Sequence, residues 1–239
     1  MLLSIIRQNQ KLAAKRNPAF DRNRFAKFLI YFMVAFWAAY LIFIGVMLSF
    51  AFEDIFPSME PYHIMNQGLI YLLILDFLLR FMLQPAMSQE IKPYLLMPVK
   101  KNKLVDTLLL QSGISSYNFF WFFLIIPFAL LTIIRFYGLT GILCYLCGIW
   151  LLMVMNCYWY LICKTLLNEK LLYILLPIGV YGLLAGTEFI PEGNPVSTFM
   201  MNLGEGFIEG NILAFLGVIA AILLLLLVNR KLQLHFIYN

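Results

Sequence analysis

FLIYFMVAFWAAYLIFIGVMLSF, residues 28–50, contains no charged side chain. A helix over these residues is roughly 35 Å long at 1.5 Å per residue, more than the ~30 Å hydrocarbon core of a bilayer. The run shows no in/out alternation of the kind a membrane barrel needs. In lipid the backbone must bond within its own segment, so the stretch reads as a membrane-spanning helix.

Similar windows recur along the chain at 66–84, 118–136, 139–163, 171–187 and 211–228. The last, Ile212 to Val228, is Leu, Ile, Ala, Val and Gly with one Phe. Trp37, Tyr40, Tyr71, Trp121, Tyr137, Trp159 and Tyr160 lie in or at the ends of these windows, where aromatic belts form. Across 239 residues, 63% are apolar and only 12% charged, against roughly 25% charged in a soluble domain. That balance excludes a disordered chain and an ordinary soluble enzyme. The expected fold is therefore an all-α integral membrane protein: one transmembrane domain over 1–239 with six transmembrane helices.

Charge sorting sets the orientation. Arg7, Lys11, Lys15, Arg16, Arg22, Arg24 and Lys27 precede the first window, Lys92, Lys100, Lys101 and Lys103 follow the second, Lys164 and Lys170 the fourth, and Arg230 and Lys231 the sixth. These are 15 of the 17 basic residues, and every one falls on the same side of a six-span topology. The opposite loops carry Glu53, Asp54, Glu60, Glu188, Glu192, Glu205 and Glu209, with Arg135 alone nearby. By the positive-inside rule both termini are cytoplasmic. The net charge of +5 is then anchoring charge at a membrane face and points to membrane lipids, with no nucleic acid as partner. The first window is too long for a secretory leader and has no small-residue cleavage site.

Three segments lie outside the windows. Within the interfacial segment 1–27, residues 2–16 mix Leu2, Leu3, Ile5, Ile6 and Leu12 with Arg7, Lys11, Lys15 and Arg16. They read either as an amphipathic helix lying on the membrane or as a plain basic anchor. The cytoplasmic loop 85–117 is punctuated by Pro93 and Pro98. Tyr94, Leu95, Leu96 and Met97 form an apolar knob there, rimmed by Lys100, Lys101 and Lys103, which suits docking on another protein or packing back on the membrane or on the protein's own helices. The external loop 188–210 is turn-rich and reads as a surface loop or as a re-entrant element.

Chemical motifs are sparse. Asp76 and Arg80, four apart, share one helical face as an intramembrane polar pair. They suit a polar element on a pathway, or a structural pair with Arg80 reaching toward the cytoplasmic surface. Cys144, Cys147, Cys157 and Cys163 lie in one apolar window and read as small packing residues rather than metal ligands. His63 and His235 fall in a loop and in the C-terminal tail. The chain contains no G-x-S-x-G, no H-E-x-x-H and no G-x-x-x-x-G-K-[ST]. It reads as a non-enzyme with no cofactor or metal of its own. Gly182 and Gly186, near Gly179, form a G-x-x-x-G that serves internal packing or dimerisation.

The layout resembles the transmembrane permease subunit of a type-2 ABC exporter. More specifically, LDFLLRFMLQ (75–84) with KPYLLMPVKKNKLVDTLLLQS (92–112) resembles a bacterial family of predicted ABC permeases of unknown substrate. The resemblance implies that 89–103 is a coupling element seated on a separate cytoplasmic ABC ATPase, so that ATP acts through a partner subunit. It also implies that 2–16 is a connecting helix and 188–210 re-entrant. Members of that family are about twice as long, so this chain corresponds to one half of such a permease or a truncation, beside a second six-helix unit. The implied location is the bacterial cytoplasmic membrane. The alternative is a non-transporting membrane scaffold or assembly protein.

Overall fold

The computed structural model describes residues 4, 6, 8–9, 12, 24–84, 91–95, 99–187 and 194–238. The described residues form helices and connecting turns, with no strand among them. In chain order the helices are α1 (Arg24–Ile55), α2 (Pro61–Gln67), α3 (Leu69–Leu83), α4 (Lys101–Gly113), α5 (Phe122–Leu131), α6 (Ile134–Glu169), α7 (Leu175–Gly186), α8 (Pro195–Ile208) and α9 (Ile212–Tyr238).

α1, α6 and α9 have the length and composition to cross a bilayer alone. Two bent pairs pass the same test together: α2 with α3, at 49°, and Lys101–Phe119 with α5, at 53°. The structure thus offers three to five candidate membrane spans, as suits a multi-pass membrane protein. The difference from six windows has two sources. The window at 171–187 becomes the apolar helix Leu171–Leu184, which falls short of a bilayer at 1.5 Å per residue. The window at 118–136 supplies only α5, and its span is completed by α4, inside the stretch expected to be loop. Lys101, Lys103, Asp106 and Gln111 hid α4 from a hydropathy reading. Yet Leu104 and Leu108, with Val105 and Leu109, repeat at four-residue spacing and are buried at 2% exposure or less.

α6 is the central helix: 44% of its apolar window is buried, against 11% for α1 and 17% for α9. Its first turn is broken at Gly138, where φ is +63°, a value that only glycine adopts readily. The outer face of α1 carries a ladder of Phe28, Phe32, Phe36 and Tyr40 with ring centroids 6.2–6.4 Å apart, all exposed. Its inner face carries Leu41, Gly45 and Ser49 against α5. A Cβ at Gly45 would run into the Leu124 carbonyl and lie 2.9 Å from Pro127 Cγ, so this close approach requires glycine. Side-chain bonds fix the relative directions of the helices. Asp76 meets Asn156 and Gln84 meets Lys164, so α3 and α6 run the same way. Asn229 meets Tyr158 and Gln233 meets Thr165, so α9 runs with them.

At the N-terminus, Ser4, Ile6, Gln8, Asn9 and Leu12 are helical, with Ile6 fully buried and the other four exposed. The rest of 2–16 lies outside the described residues, as do 85–90, 96–98 and 188–193.

Candidate functional site

Asp76 and Arg80 sit on the inward stripe of α3, and that stripe brings them under α5, α6 and α7. The Asp76 side chain is 5% exposed and that of Arg80 1%. Arg80 Nε donates to Asp76 Oδ2 at 2.6 Å. Arg80 therefore does not reach out to a surface. Asn156 Nδ2, from α6, donates to the same oxygen at 2.7 Å and to the Leu73 carbonyl at 2.9 Å. Trp121 Nε1, at the break before α5, donates to Asp76 Oδ1 at 2.9 Å. Tyr181, from α7, donates its hydroxyl to Asn156 Oδ1 at 3.1 Å, and its ring lies 5.0 Å from that of Phe77. The carboxylate and Asn156 together thus tie α3 to α6, to α7 and to the residue that leads into α5. Charge-assisted bonds of this kind outweigh neutral ones, and burial removes the competing water.

Among the described residues, Arg80 Nη1 and Nη2 have no hydrogen-bond partner. The next turn of α3 carries a second cation. Lys164, from α6, donates to the carbonyls of Phe81, at 2.8 Å, and Gln84. Its ammonium also lies 5.2 and 5.4 Å from the ring centroids of Phe81 and Tyr160. Tyr160 adds a bond from its hydroxyl to the Gln84 carbonyl at 2.8 Å. The last carbonyls of a helix lack intrahelical partners and form its negative end, so Lys164 and Tyr160 act as a cap that clamps the end of α3 to α6.

Beyond that clamp lies the expected docking segment. Ile91 is 2% exposed and belongs to the core, and Tyr94 is half-buried against it. Leu95 is exposed at 41%, Lys100 and Lys103 are exposed, and Lys101 is half-buried. Leu96 and Met97 lie outside the described residues. α4 is pinned to α9 by Asp106 and Arg230, whose Nε lies 2.7 Å from Oδ1.

Further polar ties stand at the other end of the bundle. Tyr145 donates to Asn66 Oδ1 at 2.9 Å, beneath Gly204, and His63 pairs with Glu205. Arg135 donates to Glu53 at 2.8 Å. An open cleft of about 360 Å³ is lined by Pro57, Ser58, Met59, Glu60, His63 and Met201. The cysteines carry no disulfide: Cys157 and Cys163 are buried, Cys144 is half-buried and Cys147 exposed. Among the described residues no three His, Cys, Asp or Glu side chains converge as a metal site. Gly179, Gly182 and Gly186 face open space, so packing within the chain does not account for them.

Sequence reasoning found the pair but missed its partners. Asn156 was the available signal, an amide in the middle of a long apolar window, and an amide buried there needs a hydrogen-bonding partner. Trp121 and Tyr160, expected at a water–lipid boundary, are 3% and 0% exposed, because each side-chain donor reaches an acceptor inside the bundle.

Residues 10–239 match a sequence family described as "Family of unknown function (DUF5687)". No curated protein and no solved structure matches the chain.

Proposed function

The chain belongs to the DUF5687 family of unknown function, and from that premise we propose that it is the membrane-spanning permease subunit of an ABC-type exporter. In this reading six helices cross the bacterial cytoplasmic membrane with both termini inside. Residues 171–187 make the sixth crossing, and 89–103 docks on a separate ATPase. ATP binding dimerises the ATPase and drives this unit and a second six-helix unit between two facing states. Such switching needs an element with two arrangements that ATP biases.

The observation that carries the reading is the mechanical continuity beneath α3. Leu95, Lys100 and Lys103 are exposed at the tip of the segment. Ile91 and Tyr94 seat its root in the core, and Lys164 and Tyr160 clamp the last turn of α3. One turn further in, Asp76 and Asn156 tie α3 to α6, to α7 and to the residue that leads into α5. A push on the tip is thus passed on through the packing of Ile91 and Tyr94 in the core, next to a buried polar junction held by hydrogen bonds. The charge sorting agrees, since Lys92, Lys100, Lys101 and Lys103 share an end with Lys170 and Lys231.

Deleting residues 93–103 tests the assignment. The intact chain is expected to co-purify from its native membrane with a P-loop ATPase, and the deletion to lose both the ATPase and its stimulation. Retention of the ATPase and of stimulated hydrolysis by the deletion variant refutes the coupling role. An intact chain that brings down no ATPase favours a scaffold.

A further inference from the structure

We propose that the Arg80 end of the buried cluster receives an anionic head group, phosphate or carboxylate, of an amphiphile that the protein moves. The proposal rests on the permease reading and names its substrate class.

The guanidinium is the starting point. Arg80 is 1% exposed, and its Nε is spent on Asp76. Nη1 and Nη2, with four N–H donors between them, are unpartnered among the described residues. Asp76 has little left to offer them, because Oδ2 accepts from Arg80 Nε and Asn156 and Oδ1 from Trp121. An unpaired donor in a protein interior is costly, and more so within a membrane. The planar fork matches a carboxylate or phosphate in a bidentate fashion.

Charge points the same way. Arg80 and Lys164 bring two formal positive charges to the end of α3, and Asp76 brings one negative. Among the described residues, two other carboxylates of the same end are engaged or outside: Asp106 pairs with Arg230, and Glu169 is exposed at the end of α6. Lys164 spends two donors on carbonyls and keeps a third. An incoming anion would balance the excess.

α7 supplies both the route and the place for a tail. It meets the bundle through Leu176, Pro177 and Tyr181, and the Tyr181–Asn156 hydrogen bond ties it to the cluster. Leu175, Ile178 and Leu183 are exposed at 59, 60 and 76%. In the proposed entry step that bond breaks and the Tyr181 ring slides off Phe77, while an acyl chain lies along the apolar face of α7.

The test uses the full chain in detergent without any ATPase, read by native mass spectrometry. Delipidated protein is offered phosphatidylglycerol, phosphatidylcholine or inorganic phosphate. The expected result is one retained phosphatidylglycerol with at least a tenfold preference over phosphatidylcholine. Asp76→Asn/Arg80→Gln, which removes the fork and its counter-charge together, abolishes the preference. Arg80→Lys, which keeps charge without the fork, weakens it several-fold, so the test survives poor folding of the double variant. Lys231→Gln, exposed on α9, leaves the preference unchanged. A preference that survives both Arg80 variants overturns the site. Binding of inorganic phosphate with no lipid preference overturns the amphiphile. Failure of the permease reading shows separately, as absence of a co-purifying ATPase while the lipid preference stands.

Discussion

Asp76→Asn changes one atom at the buried polar junction of α3, and its cost can be worked from the bonds. Oδ2 accepts from Arg80 Nε at 2.6 Å and Asn156 Nδ2 at 2.7 Å, and Oδ1 from Trp121 Nε1 at 2.9 Å. An amide has one oxygen. If its NH2 replaces Oδ2 it faces two donors; if it replaces Oδ1 it faces the indole. Either way at least one buried donor is orphaned, worth about 1–3 kcal/mol. Arg80 also loses its counter-charge at 1% exposure, and breaking a buried pair costs about 3–5 kcal/mol in all. At roughly 2–4 °C per kcal/mol for a chain of this size, the melting temperature in detergent should fall by about 6–20 °C. Removing both charges should cost less than the sum of its parts. Asp76→Asn/Arg80→Gln is expected to show a favourable coupling of about 2 kcal/mol against the two single variants. Thermal denaturation followed by size-exclusion fluorescence, with circular dichroism as a check on helix content, measures all four proteins. An Asp76→Asn protein within about 1 kcal/mol of the parent, or strictly additive variants, refutes the cluster as a stabilising junction.

Three further substitutions probe other contacts. A Cβ at Gly148 would overlap the Phe207 ring, so overpacking of about 1–3 kcal/mol should outweigh the helix-propensity gain of about 1 kcal/mol in Gly148→Ala. Gly182→Ala meets nothing within 4 Å and should shift the melting temperature upward; shifts of the same sign in both would contradict the packing. Asn194 caps α8, accepting from Val196 N at 3.0 Å and Ser197 N at 3.2 Å, and also bonds Thr187. Asn194→Ala should cost about 1 kcal/mol and speed amide exchange across the first turn of α8, and unchanged exchange there would remove the cap.

What could be read in advance followed from how strongly each residue expresses itself alone. Residues 28–50 and 211–228 are apolar on every face, so their helices were legible from composition. The break between the windows 118–136 and 139–163 falls at Gly138, whose φ of +63° few residues other than glycine tolerate. The prolines of 85–112 pointed to short helical pieces, but α4 was not legible as part of a span, since its buried stripe of Leu104, Val105, Leu108 and Leu109 shares thirteen residues with Lys101, Lys103, Asp106 and Gln111. Averaging over a window erases a stripe that only a packed neighbour makes meaningful. Asp76 and Arg80 were legible as a pair because four-residue spacing is local geometry.

The partners of that pair were beyond local geometry. Asn156 lies 80 residues from Asp76 and Trp121 lies 45; an amide in an apolar window signals that some partner exists, but nothing in the immediate sequence says which. The sequence by itself determined that the chain is helical, apolar and sorted by charge, because those properties add up residue by residue. Tertiary structure alone decided that Trp121 and Tyr160 point inward, that Lys164 caps α3, and that two nitrogens of Arg80 are left open. Those outcomes depend on which donor meets which acceptor when separate helices pack, and the buried interior enforces each pairing because no water competes for it.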